Sequence, residues 1–343
     1  MKIKKYIKSI KVSCIVISLL FISTLSCFAD SSKVVTIGEN LNSTQKTKIF
    51  QYFGVSENDV DVITVNNQDE RKYLEGVATE EQIGHKTLSC AYIEPTNSGG
   101  VNTKIANLNW VTASMISSTL ITAGVENANV IAVAPFEVSG TGALTGCFKA
   151  FEAATGKQLD EEKKEIATEE LVITGDLGED IGQEKATGVV NDVKKDVIKE
   201  KVKETETINK IIDDVSGQYG VSLSTEQKNA LSNMMLKVGE QDYDYSKIEN
   251  SLNKVTDNVN KILNKVGTEF EKSGLWDSIK SFFVGLFSGE KENDNENLGI
   301  LNNTNDTALG ENTKIDSTND NSQLNNQNNS DGFWDKFKKM LNL

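Results

Sequence analysis

The chain has 343 residues and a formal net charge of −14, with 25% charged and 38% hydrophobic residues, one histidine (His85) and one arginine (Arg71). Such an acidic chain is repelled by nucleic acid and by anionic surfaces, which sets nucleic acid aside as a partner. A lone arginine leaves little means of gripping phosphate with paired hydrogen bonds. One histidine and scattered cysteines argue against a zinc centre, and no cofactor is implied.

Residues 1–29 read as a signal peptide. Lys2, Lys4, Lys5, Lys8 and Lys11 precede an apolar run from Val12 to Leu25, and Cys27-Phe28-Ala29 forms a small-x-small cleavage site before Asp30. The run is about 14 residues, short of the ~20 that a membrane helix needs. We therefore expect a secreted or cell-wall-associated chain. A lipid anchor on Cys27 is the alternative, weakened by the threonine in Thr24-Leu25-Ser26. The first 29 residues hold five lysines and no acid, so the mature chain carries 31 basic and 50 acidic residues, a net charge of −19. Its two cysteines, Cys90 and Cys147, either close a disulfide or stay separate buried thiols. An unstrained crosslink of that span is worth roughly 4 kcal/mol.

Residues 30–156 predict an α/β layer domain. Val34 to Ile37 reads as a strand, and Val60 to Val65 as a second strand with period-two alternation. Between them Asn42-Ser43-Thr44-Gln45 opens a helix to Phe53, stopped by Gly54. Thr87 to Glu94 and Val101 to Leu108 flank Pro95-Thr96-Asn97-Ser98-Gly99-Gly100, a pattern that predicts a hairpin. A helix over Thr112–Ala123, a strand over Val130–Ala134 and a helix over Gly142–Ala154 complete the unit, and the mixture suits an α+β fold.

Residues 157–270 predict an all-α region. Val189, Val193, Val197 and Val202, then Ile208, Ile211, Ile212 and Val215, fall at helical spacing, and Ser224-Thr225-Glu226-Gln227 is a capping box. Ile248, Leu252, Val255, Val259, Ile262 and Val266 step by fours and threes, which is a heptad seam. We expect this seam to pack on the Ser224 helix, with weak homo-oligomerisation through a coiled coil as the alternative.

Residues 271–289 read as an amphipathic helix, 290–332 as an Asn/Asp-rich linker without a regular apolar period, and 333–343 as a terminal amphipathic helix. The composition of the linker predicts disorder. The two amphipathic segments repeat each other: Leu275-Trp276-Asp277 matches Phe333-Trp334-Asp335. Trp276, Phe282 and Phe283 in the first copy, and Trp334, Phe337 and Met340 in the second, fill one apolar stripe roughly 140° wide. Such a stripe seeks a membrane surface, an envelope protein or the chain's own grooves.

One further string carries candidate chemistry. Ala134 to Gly146 runs from a strand through Ser139-Gly140-Thr141 into a helix, and exposed backbone N–H groups there could hold an anion. The alternative is a capped helix start whose glycines allow tight packing. The spacing is neither the dinucleotide fingerprint nor a P-loop. With the opening Val34-Val35-Thr36-Ile37-Gly38, this string resembles the YpuA-like family of secreted proteins from Gram-positive bacteria, a domain of unknown function. The resemblance spans Lys33 to Phe270 and implies an exported protein with an α/β front half and a helical back half. It supplies no catalytic residues.

Catalytic patterns are thin. A serine nucleophile needs a base, and His85 lies in a turn that reads as solvated. Asp59-Val60-Asp61 and Asp242-Tyr243-Asp244 lack the glycine and closing glutamate of a calcium loop, and no metal site is assigned. The expectation is a non-enzymatic envelope binding protein that uses its Trp-Asp helices. A cell-wall hydrolase acting through Asp and Glu near the Glu137–Gly146 turn, and a coiled-coil structural protein, are the alternatives.

Overall fold

The computed structural model describes residues 33–270, 298–310 and 313–319. The first element is strand β1 (Val34–Gly38), followed by helix α1 (Ser43–Phe53). Asn42 and Gln45 cap α1 reciprocally, and Gly54 ends it in the left-handed conformation, as the local sequence predicts. Then come β2 (Asp61–Val65), α2 (Asn67–Leu74), the single turn α3 (Glu80–Ile83), β3 (Cys90–Pro95) and β4 (Val101–Leu108). Helix α4 (Ala113–Thr122), strand β5 (Ala128–Val138) and helix α5 (Thr141–Thr155) complete the front half. The back half is α6 (Glu161–Ile181), α7 (Gln183–Glu200), α8 (Thr205–Gln218), α9 (Thr225–Glu240) and α10 (Tyr245–Phe270). A last short strand, β6 (Ile315–Ser317), follows.

The six strands form one sheet in the order β2-β1-β3-β5-β4-β6. Strands β1, β2, β4 and β5 run in one direction, while β3 and β6 run against them. The predicted hairpin is corrected here. β3 and β4 do not pair, because β5 lies between them, antiparallel to β3 and parallel to β4. The first eight residues of β5 are all buried, so this strand needs a neighbour on each edge and cover on both faces. The Pro95–Val101 connection has only to cross two strand spacings, roughly 10 Å.

Alternation within the strands divides the core. Ala91 and Ile93 join Val34, Val130 and Ala132 on the face covered by α4 and α5, while Cys90 and Tyr92 join Val35, Ile37, Ile131 and Val133 on the face covered by α1. The first cluster continues without a break through α6, α7, α8, α9 and α10, so sheet and helices share one core. Cys90 and Cys147 are therefore two free buried thiols on opposite faces, not a disulfide, and burial pushes each up to about 12.

The heptad face of α10 is also placed differently from expectation. Ile248, Leu252, Val255 and Val259 are buried, and the helix packs on α7 and α4 rather than on the Ser224 helix. Hydrogen bonds tie it to both helices. Asn258 Nδ2 donates to Ser114 Oγ on α4 at 2.8 Å, and Asn191 Nδ2 on α7 donates to Leu252 O at 3.0 Å.

Part of the segment expected to be a disordered linker is ordered. Leu298, Ile300, Leu301 and Leu309 are buried beside α1 on the sheet, and β6 pairs with Lys104–Ala106 of β4. Asp316 Oδ2 accepts the Ala113 N–H at 2.7 Å, which caps α4 from a distant part of the chain. Lys104, 6% exposed, reaches Asp306 at 2.8 Å. These apolar residues follow no helix or strand period, so composition masks them. Among the described residues, no helix is long and apolar enough to cross a membrane.

Candidate functional site

The parallel strands set the site. Open sheets bind ligands beyond the carboxyl ends of their strands, where loops and helix starts converge. At that end, a cavity of about 380 Å³ is lined by α2, by α3 and the turn after it, by the entry to β3, and by the junction of β5 and α5. This volume lies within the range of small-molecule sites.

The β5–α5 junction depends on two glycines. Gly140 has φ 93°, a left-handed conformation that disfavours any side chain, and it starts α5 with no side-chain cap. At Gly142 a Cβ would lie 2.0 Å from Glu70 Oε1. Only the bare backbone leaves room for that carboxyl. Ser139 Oγ lies 3.4 Å from Thr141 Oγ1, and Thr141 Oγ1 donates to Gln82 O at 2.7 Å, fastening α3 to the head of α5.

Glu70 was not among the residues singled out by sequence, yet it is the most perturbed acid in the cavity wall. Helix α2 starts with a reciprocal Asn66–Asp69 cap, which fixes Glu70 facing inward, 2% exposed. Asn67 Nδ2 donates to Glu70 Oε2 at 3.3 Å and lies equally close to Gly84 O. The neighbouring Arg71 turns away: its guanidinium donates to both Glu80 carboxylate oxygens at 2.8 Å. Burial pushes the Glu70 carboxyl up to about 7, and the Thr87 hydroxyl, the Asn67 amide and the Arg71 charge offset only part of that.

The anion reading of Ser139, Gly140 and Thr141 changes accordingly. The structure brings all three to the head of α5, with Ser139 and Thr141 in the cavity wall, but Glu70 already faces that helix end and the Thr141 hydroxyl is spent on Gln82. His85 and Lys86 are exposed at the cavity's rim, with Glu81 beside them. Glu137 is outside the lining and pairs with Lys314 at 2.9 Å. Trp276, Phe282, Phe283, Trp334, Phe337 and Met340 lie outside the described residues. A helix beginning at a capping box, with an acid four residues past the cap, was the available sign of Glu70; its burial depends on Gly142, 72 positions away.

A six-stranded mixed sheet, a five-helix layer joined to it through one core, and a cavity over the strand ends define an α+β protein built on a plan that no solved structure matches. The chain belongs to the family described as "Protein of unknown function (DUF1002)", whose model matches residues 37–255. It is 32% identical over 259 residues to the uncharacterized protein YpuA of Bacillus subtilis strain 168, an alignment that covers 73% of this chain and 89% of that one.

Proposed function

We propose that this chain is an exported, envelope-associated binding protein that holds a small polar ligand in the strand-end cavity and uses its two Trp-Asp segments for attachment. The observation that carries the reading is the Glu70 carboxyl, buried in the cavity wall against Gly142 while the neighbouring Arg71 guanidinium is bound to Glu80. Buried polar groups of this kind, converging on a cavity, fix the orientation of a ligand. Export makes cell-wall fragments the first ligands to test, since their sugars and peptides present hydroxyls, amides and carboxylates. Calorimetric titration with muropeptides released from peptidoglycan is expected to give saturable binding that Ser139→Phe, which fills the cavity, abolishes. Failure of every fraction to bind the unmodified chain would sink the reading.

One observation favours a second reading, a hydrolase. A glutamic acid that keeps its proton to about 7 is suited to protonate a leaving group. That assignment moves the acid from Glu137, which is tied to Lys314, to Glu70. Turnover of peptidoglycan by the unmodified chain, lost in Glu70→Gln, would replace the binding reading with this one.

A further inference from the structure

We infer that the outer edge of β4 and the sheet face beside α1 form a self-association site, which residues 298–319 of a second copy fill in place of the chain's own. The described part of this segment lies on the body as a bound peptide lies on its receptor. β6 pairs antiparallel with Lys104–Ala106. On either side of that ladder, Thr318 N–H donates to Thr103 O and Asn107 N–H to Lys314 O, each at 2.9 Å. Upstream, Asn305 N–H donates to Tyr52 O at 2.8 Å and Ile300 N–H to Glu94 Oε2 at 3.1 Å. Two ion pairs cross the same boundary, Lys104 with Asp306 and Lys314 with Glu137. Addition of a strand to a sheet edge, with apolar side chains as anchors, is a general mode of chain-to-chain recognition.

The segment is separable from the body it covers. The larger core cluster, running from the sheet through α10, contains none of its residues, whereas Leu298, Ile300, Leu301 and Leu309 enter only the smaller cluster beside α1. The body therefore keeps its main core when the segment leaves. β4 then presents an open edge, the usual template for pairing with another chain. Reach is not limiting. Residues 271–297 separate the end of α10 from Leu298, a length of at most about 95 Å, and a folded body of roughly 250 residues is about 45 Å across. The contacts named above all join segment to body, so they are the same within one chain and between two. Seating within the chain then prevails only through its effective concentration, on the order of millimolar for a connection of this length. Chains held side by side on a surface reach such a density. The groove itself identifies its occupant, because each further copy carries the same four apolar anchors with Asp306 and Asp316 in the same order.

The test mixes two full-length variants, one with Ala106→Cys and the other with Ile315→Cys, positions that face each other across the β4–β6 ladder. Facing side chains of an antiparallel pair lie close enough for a disulfide. After incubation near millimolar concentration and mild oxidation, a disulfide-linked heterodimer is expected. About half the grooves hold a partner's segment when the chain concentration equals the effective one, and at micromolar concentration the yield is expected to be at least about a hundredfold lower. Both substitutions in one chain are expected to close a bond within that chain at micromolar concentration, and the locked chain to stay monomeric up to millimolar. Closure of the double variant without a heterodimer in the mixture overturns the proposal. Sedimentation of the unmodified chain reads the same equilibrium without any new cysteine. A dimer that grows toward millimolar concentration and is abolished by the lock is expected. A monomer at every concentration overturns the proposal, and so does a dimer that persists in the locked chain, which would place self-association on another surface.

Discussion

Glu70 also leaves a mark on stability, separate from any ligand. Its folded-state pKa, about 7, lies above the ordinary glutamate value of 4.5. Between those values the unfolded chain has released the proton and the folded chain still holds it, so stability falls as pH rises through that window. The difference amounts to roughly 3 kcal/mol when each pKa unit counts as about 1.4 kcal/mol. Glu70→Gln is expected to lose this slope and to gain on the unmodified chain between pH 5 and pH 8 in urea denaturation. Parallel slopes for the two proteins would show that burial does not hold the proton. Lys194 and Glu170 present the contrasting case. Both are wholly buried and paired at 2.8 Å, with Ser118 and Thr122 completing the hydrogen bonds. Removing one partner strands the other's charge in the core, so Lys194→Ala is expected to cost about 3–5 kcal/mol, and Lys194→Met with Glu170→Leu considerably less. Equal losses would mean that packing, rather than the stranded charge, dominates. Neither pair of roles is legible in the sequence, where Glu70 and Glu170 are two acids among 50; burial decides both, and burial comes from residues far along the chain.

At the scale of elements, local chemistry was readable and long-range pairing was not. The Asn42 and Ser224 caps and the Gly54 stop stand where the sequence puts them, because each depends on groups within about four residues. The β3–β4 hairpin failed for the opposite reason: the strand that separates the two follows 20 residues after β4. The segment after residue 297 failed because four irregularly spaced apolar side chains carry no period, although each finds a place against α1 and the sheet. That segment has a measurable consequence. Ending the chain after Asn297 removes Leu298, Ile300, Leu301, Leu309 and β6, at about 1.5–3 kcal/mol for each buried Leu or Ile, and also removes the cap on α4. Ending it after Asn319 spares all of them. The shorter chain is expected to melt well below the full chain or to aggregate, and the longer one to match it. Identical melting of both truncations would show that the segment adds nothing to the core.

For the whole molecule, the acidic composition bears on how attachment would work. A net charge of −14 opposes approach to an anionic surface, so any membrane contact must come from apolar side chains rather than from charge. The Trp334 segment supplies such side chains, with Phe337 and Met340 at helical spacing, and lies beyond the last described residue. Because β6 belongs to the fold, the informative boundary is Asn319, which separates loss of attachment from loss of structure. We expect the full chain to sediment with phosphatidylcholine vesicles and the chain ending at Asn319 to stay in solution. Trp334→Ala with Phe337→Ala should behave like the truncation while melting like the full chain. Added phosphatidylglycerol should weaken binding, and added salt should restore it, since screening removes the repulsion without touching the apolar term. Sedimentation that instead strengthens with phosphatidylglycerol would point to a basic surface and overturn apolar attachment. Equal sedimentation of the full and truncated chains would move the attachment site to the residues before Asn319.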